Sequence, residues 1–186
     1  MGEQVKGVSV ARVPEAVLTY EQVILSQINY CTKLSGLVVS SNTGTVKRVT
    51  DLEFCVNSLI SLLPIEMRRK FEERLLRFKQ WVLERASRYE CFKKKTCGEE
   101  REYWETMIKE IYREAKEVFP GYSHTIVGFI AYVIWPYDEY FPWIRIYNSL
   151  FELTLIIDML AEEGIIGLKQ PSLYVGGVRN VPEHSD

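Results

Sequence analysis

Residues 64–95 (PIEMRRKFEERLLRFKQWVLERASRYECFKKK) constrain this chain most, because they combine a helical apolar period with a strongly basic surface. Pro64 suits the opening of a helix. From there Phe71, Leu75, Phe78, Val82, Ala86 and Tyr89 recur at helical spacing and define a core stripe. Ile65, Leu76 and Leu83 form a second apolar line about a third of a turn away on the 3.6-residue period, so the helix is expected to pack on two sides. The next segment, residues 99–118 (EEREYWETMIKEIYREAKEV), leans acidic. Trp104, Ile108, Ile111, Ala115 and Val118 line its apolar face. A cysteine-bounded turn, Cys91 to Cys97, separates the two.

A chain of 186 residues is long enough to bury a substantial core within one domain. Hydrophobic residues at 47% and charged residues at 26% place it among folded globular proteins. The net charge of −2 conceals the regional imbalance. The charged side chains are mostly Glu, Lys and Arg, a mix that leans towards a thermophile source. The opening residues MGEQVKGVSVARVPEA lack the basic and then apolar run of a signal peptide. The apolar stretch Thr125 to Trp135 is too short to span a bilayer. The expectation is a cytoplasmic protein without a membrane partner.

Helical periodicity continues elsewhere. Pro14 to Gly36 carries Val17, Tyr20, Ile24, Ile28, Cys31 and Leu34 at helical spacing. LVVSSNTGTVKRV, with turn chemistry at Ser41-Asn42-Thr43-Gly44, predicts a small β-hairpin. Thr50 and Glu53 have the spacing of a capping box for a helix ending near Leu63. Ser123 to Ile134 reads as a short apolar helix or a buried strand, in which Gly128 and Ala131 permit close backbone contact. Pro142 starts a last helix, apolar nearly all round and therefore central, that Gly164 closes. Residues 5–13 and the tail suggest short terminal strands. The predicted fold is mainly α: a single-domain bundle of five or six helices over residues 1–186, with a small β-hairpin and short terminal strands.

The cysteines contain no CxxC pair and only two histidines accompany them, which argues against zinc. Cys31 and Cys55 fall on apolar helical faces and read as buried free thiols. Cys91 and Cys97 are either free thiols or a disulfide stapling the lysine turn. No GxGxxG, Walker, HExxH or GxSxG motif is present, and no cofactor is implied.

The candidate binding surface is the basic flank. Lys70, Arg74, Arg77, Arg88 and Lys95 fall on one side of the core stripe, with Trp81 among them and Lys93 and Lys94 at the turn. A row of cations suits a phosphate backbone, and a tryptophan within it suits base stacking. The partner would then be DNA or RNA. The competing reading is internal: Glu110, Glu114 and Glu117 share one flank of the next helix and would neutralise the row in an antiparallel hairpin. A second concentration, Phe129 to Phe151, is rich in Phe, Tyr and Trp and reads as core with a folded-on loop; the functional alternatives are a ligand pocket or a protein-interaction patch. Asp158, on an apolar helix face, is expected to pair with Arg145 or a tyrosine. A lone His124 reads as a helix-terminal or surface residue.

The tail fragment Arg179-Asn180-Val181-Pro182-Glu183-His184 has the form R-N-x-x-x-H, and LAEEGII precedes it. The fragment resembles the signature of the HEPN ribonucleases, helical bundles in which such an Arg and His act together on RNA. That resemblance implies a metal-independent ribonuclease with Arg179 and His184 as catalytic residues. The reading drawn from the rest of the chain is non-enzymatic: a nucleic-acid-binding protein, or an assembly subunit that meets a protein partner or its own copies, including a coat-type protein of a virus or plasmid.

Overall fold

The computed structural model describes residues 18–40, 46–94, 101–122, 125–134 and 142–167. The described residues form seven α-helices: α1 (Tyr20–Ser40), α2 (Val46–Leu62), α3 (Ile65–Ala86), α4 (Glu90–Lys93), α5 (Arg101–Val118), α6 (Ile126–Ile134) and α7 (Pro142–Glu162), with a 3₁₀ turn at Pro120–Tyr122. The mainly α architecture is as expected. The hairpin is not: Leu37–Ser40 continue α1, and Val46–Val49 open α2. The β-branched residues there serve a helical core instead. Val38 and Val49 are buried, and Val49, Leu52, Val56 and Leu59 recur at the helical period. Packing has overridden local strand propensity. Residues 5–13 and the tail, where strands were expected, lie outside the described residues.

The expected capping box is likewise corrected. Thr50 is the fifth residue of α2 and sits inside the helix, and the Glu53 carboxylate is engaged by Arg145. Gly36 does not end α1, which runs four residues further. Pro64 does occupy the N-cap of α3.

α7 is the centre of the bundle, packing against α1, α2, α3 and α6. Its Ile144, Leu150, Phe151, Leu155, Ile156, Met159 and Leu160 are all buried. Gly164 ends it at φ +70°, a left-handed conformation that glycine adopts without cost. Ile165 N–H donates to Leu160 O at 2.9 Å and Gly164 N–H to Ala161 O at 3.1 Å, the paired bonds of a Schellman cap. The segment that was ambiguous between helix and strand is a helix, α6. It lies so close to α7 that a Cβ on Gly128 would stand 2.1 Å from Tyr147 Cβ.

Of the aromatic stretch, Phe129 and Phe151 are core, Tyr147 and Trp143 pack against it, Tyr132 is exposed, and residues 135–141 lie outside the described residues. Phe78 of α3 sits among Phe119, Tyr122, Phe129 and Phe151, with centroid separations of 4.5, 5.5, 6.2 and 5.1 Å. Phe129 and Phe151 stack at 4.4 Å. Of the second apolar line on α3, Ile65 and Leu76 are exposed, so two-sided packing does not extend along the helix. α3 shows one core stripe and one wet face.

A disulfide joins Cys31 of α1 to Cys55 of α2, their Cα atoms 5.7 Å apart. The expectation of free buried thiols is therefore wrong for this pair. Each cysteine faces the core as its helix dictates, and the antiparallel packing of α1 on α2 brings them level. Cys91 is also disulfide-bonded. Cys97 lies outside the described residues.

Candidate functional site

The basic flank runs from α3 through the turn into α4, and carboxylates from α4, α5 and the end of α7 meet it. α5 runs antiparallel to α3, as the register of Tyr89 with Glu110, Arg85 with Glu114, and Trp81 with Phe119 shows. Arg85 Nε donates to Glu114 Oε2 at 3.0 Å, and Arg88 Nη1 lies 3.4 Å from Glu114 Oε1. Glu110 instead accepts the Tyr89 hydroxyl. Burial, reinforced by that carboxylate, pushes the Tyr89 phenol up to about 12.

The other half of the row is met from the end of α7. Lys70 pairs with Glu163. Arg74 forks onto Glu162, with its second contact at 3.2 Å. That bond holds the Glu162 carboxyl below its ordinary range. At the turn, Lys94 and Lys93 both reach Glu90, at 3.3 and 3.9 Å. Lys95 lies outside the described residues. Arg77 is exposed and makes no ion pair with a described residue.

Trp81 is half-buried. The Arg85 guanidinium covers one face at 3.7 Å, and Phe119 meets the ring edge-on at 5.3 Å. A base approaching that ring would have to displace Arg85. Of the expected acidic ladder, Glu114 alone bridges to guanidinium groups, those of Arg85 in α3 and Arg88 just beyond it. Glu162 and Glu163, which no local pattern marked as partners, supply the remainder. Most of these pairs are half-exposed, so each is worth roughly 0–1 kcal/mol. They neutralise the flank without locking it.

Two internal polar contacts involve residues singled out from sequence. Tyr122 Oη donates to Asp158 Oδ2 at 2.7 Å, so a tyrosine does satisfy Asp158. Burial, reinforced by that bond, raises the Tyr122 phenol well above its usual value. Arg145 is claimed elsewhere, by Glu53 of α2.

A cleft of about 330 Å³ opens between α3, α6 and α7. Leu75, Phe129 and Val133 give it apolar walls, and Glu72 and Lys79 stand at its mouth. Asn148 and Glu152, one turn apart on α7, are the polar residues of its inner side. Burial, with the Glu53 charge adding to it, pushes the Glu152 carboxyl up to about 7, against the pull of its hydrogen bond from Asn148. Asn148 is 7% exposed, and its Oδ1 accepts no hydrogen bond. The sequence reading missed both. Their signal was present: an i, i+4 polar pair that extends Arg145 into a polar line, i, i+3 and i+7, on a largely apolar helix.

Among the described residues no group of three or more His, Cys, Asp or Glu is placed to hold a metal ion, and no helix is long and apolar enough to cross a membrane. Arg179, His184 and His124 lie outside the described residues. No family model matches the chain, and no curated protein or solved structure matches it either.

Proposed function

We propose that this chain is a non-enzymatic assembly protein that contacts further copies of itself through the apolar end where α1, α2 and α3 meet. The observation that carries this reading is the exposure of large apolar side chains there. Ile65 is 76% exposed, Leu18 63%, Tyr20 45% and Leu62 37%. The Tyr20 hydroxyl donates to Leu62 O at 2.8 Å, which fixes the two chain segments side by side. Exposed apolar groups held together on a rigid frame favour a protein contact. Beside these residues Arg69 Nη2 donates to Glu66 Oε2 at 2.8 Å, so that pair is balanced locally and does not set like charges against each other in a twofold self-contact. Sedimentation equilibrium tests it. The native chain should form a discrete oligomer that Ile65→Glu dissociates without loss of helicity. A native chain that stays monomeric at its highest soluble concentration refutes the reading.

A second reading, nucleic-acid binding through α3, keeps one supporting observation. Arg77 stands exposed on the flank, and the neighbouring pairs of Lys70, Arg74, Arg88, Lys93 and Lys94 lie at the surface, where phosphate competes for them on equal terms. Such binding would weaken steeply with salt. An affinity for duplex or single-stranded oligonucleotide that ignores salt, or no affinity at all, ends it.

A further inference from the structure

We propose that the cleft between α3, α6 and α7 is a binding site for a small molecule with an apolar body and a primary ammonium head, seated on Asn148 and Glu152. The chemistry of the cleft selects that class. Its walls, Leu75, Phe129 and Val133, offer an apolar channel of about 330 Å³, within the range of small-ligand pockets. Its inner side offers acceptors. Asn148 Oδ1 is buried and accepts nothing, and the Glu152 carboxyl lies one turn away. A buried acceptor without a donor is costly, and a ligand that brings donors relieves that cost. An ammonium brings three.

The charges exclude the opposite class. Glu152 lies within the field of Glu53, and Glu72 stands at the mouth. Lys79 is the one cation among the lining residues, and it too is at the mouth. The Arg145 guanidinium forks onto Glu53 and so does not neutralise Glu152 directly. A carboxylate ligand would meet this set with like charge, whereas an ammonium restores the ionised form that burial disfavours. Binding therefore couples to deprotonation of Glu152. The groups facing it are Glu53 from α2, Glu72 and Lys79 from α3, Tyr132 from α6, and on its own helix Asn148 and the Arg145 that Glu53 already engages. The ammonium affinity should thus rise from mildly acidic to mildly alkaline pH as Glu152 loses its proton.

Titration calorimetry of the full chain with n-hexylammonium, n-hexanol and n-hexanoate tests the proposal. Hexylammonium should bind at least about tenfold more tightly than hexanol, a difference of about 1.4 kcal/mol, and hexanoate should not bind. Glu152→Gln, which keeps the shape, should remove that preference and the pH dependence while hexanol binding persists. Circular dichroism confirms that the variant folds. Equal affinity for amine and alcohol, or an amine preference unchanged in Glu152→Gln, overturns the proposal and leaves only an apolar crevice. Absence of binding by all three probes overturns it as well. None of these outcomes depends on the oligomeric state.

Discussion

Arg145 grips the Glu53 carboxylate at two points, Nε to Oε1 at 2.7 Å and Nη2 to Oε2 at 2.6 Å, and so ties α7 to α2 across 92 positions of sequence. A planar guanidinium matches a carboxylate in this geometry, and lysine does not reproduce it. Both side chains are about a third exposed, which places the pair between a surface bridge and a buried one. Arg145→Ala should lower unfolding free energy by about 2 kcal/mol, and Arg145→Lys should recover less than half of that. Urea denaturation reads both. A loss within error for Arg145→Ala would mean that the fork adds nothing to the α2–α7 contact.

The Cys31–Cys55 bond closes a loop of 24 residues and clamps α1 to α2. Loop-closure entropy of that size corresponds to about 3 kcal/mol. Reduction should therefore shift the denaturation midpoint, and Cys31→Ala with Cys55→Ala should reproduce the shift without reductant. Peptide-level alkylation should find Cys31, Cys55 and Cys91 blocked in the native oxidised chain. Free labelling of Cys31 under those conditions would contradict the pairing.

How far these features were readable beforehand depends on the range of the interaction. Helix positions followed from periodicity: the core stripe of α3 is buried or packed against the core from Phe71 to Tyr89, and Pro64 and Gly164 mark ends where local backbone chemistry demands them. The hairpin failed because Val38 and Val49 favour strands locally and were placed by packing instead. The disulfide and the Glu162 and Glu163 pairings failed for a different reason. They join residues from separate helices, and no local pattern encodes which helix lies beside which. The cleft stands between these cases, since Asn148 and Glu152 were legible as a polar pair on α7 but their surroundings were not.

Glu152 makes stability depend on pH in a stated direction. The folded chain holds its proton up to about 7, whereas the unfolded carboxyl releases it near its ordinary value of 4.5. Between those values the folded state binds more protons, so stability falls as pH rises. The contribution is complete below the unfolded value and is lost as pH passes the folded one. Its size is on the order of 3 kcal/mol. Glu152→Gln should remove this slope and be more stable than the native chain in mildly alkaline solution. Glu53→Gln should lower the Glu152 pKa, because a neighbouring charge disappears. Denaturation at a series of pH values, with carboxyl titration followed by NMR, gives both results. Parallel stability profiles for the native chain and Glu152→Gln would reject the assignment.

Two glycines in helices should respond to the same substitution with opposite signs. At Gly128 in α6, an added Cβ would meet Tyr147 Cβ at 2.1 Å and the Tyr147 backbone at 2.9 Å. Neither is the yielding end of a flexible side chain, so α6 and α7 would have to move apart around Phe129, Ile130 and Phe151. Overpacking of this kind costs roughly 1–3 kcal/mol or more, and Gly128→Ala should lie at or above the top of that range. At Gly36 in α1, a Cβ would meet nothing within 4 Å, and the helix continues past it. There alanine removes only the entropic penalty of glycine, so Gly36→Ala should stabilise by about 0.5–1 kcal/mol. Thermal unfolding of the two variants beside the native chain reads the contrast. If Gly128→Ala melts with the native chain, α6 does not pack on α7 as closely as the backbone geometry states.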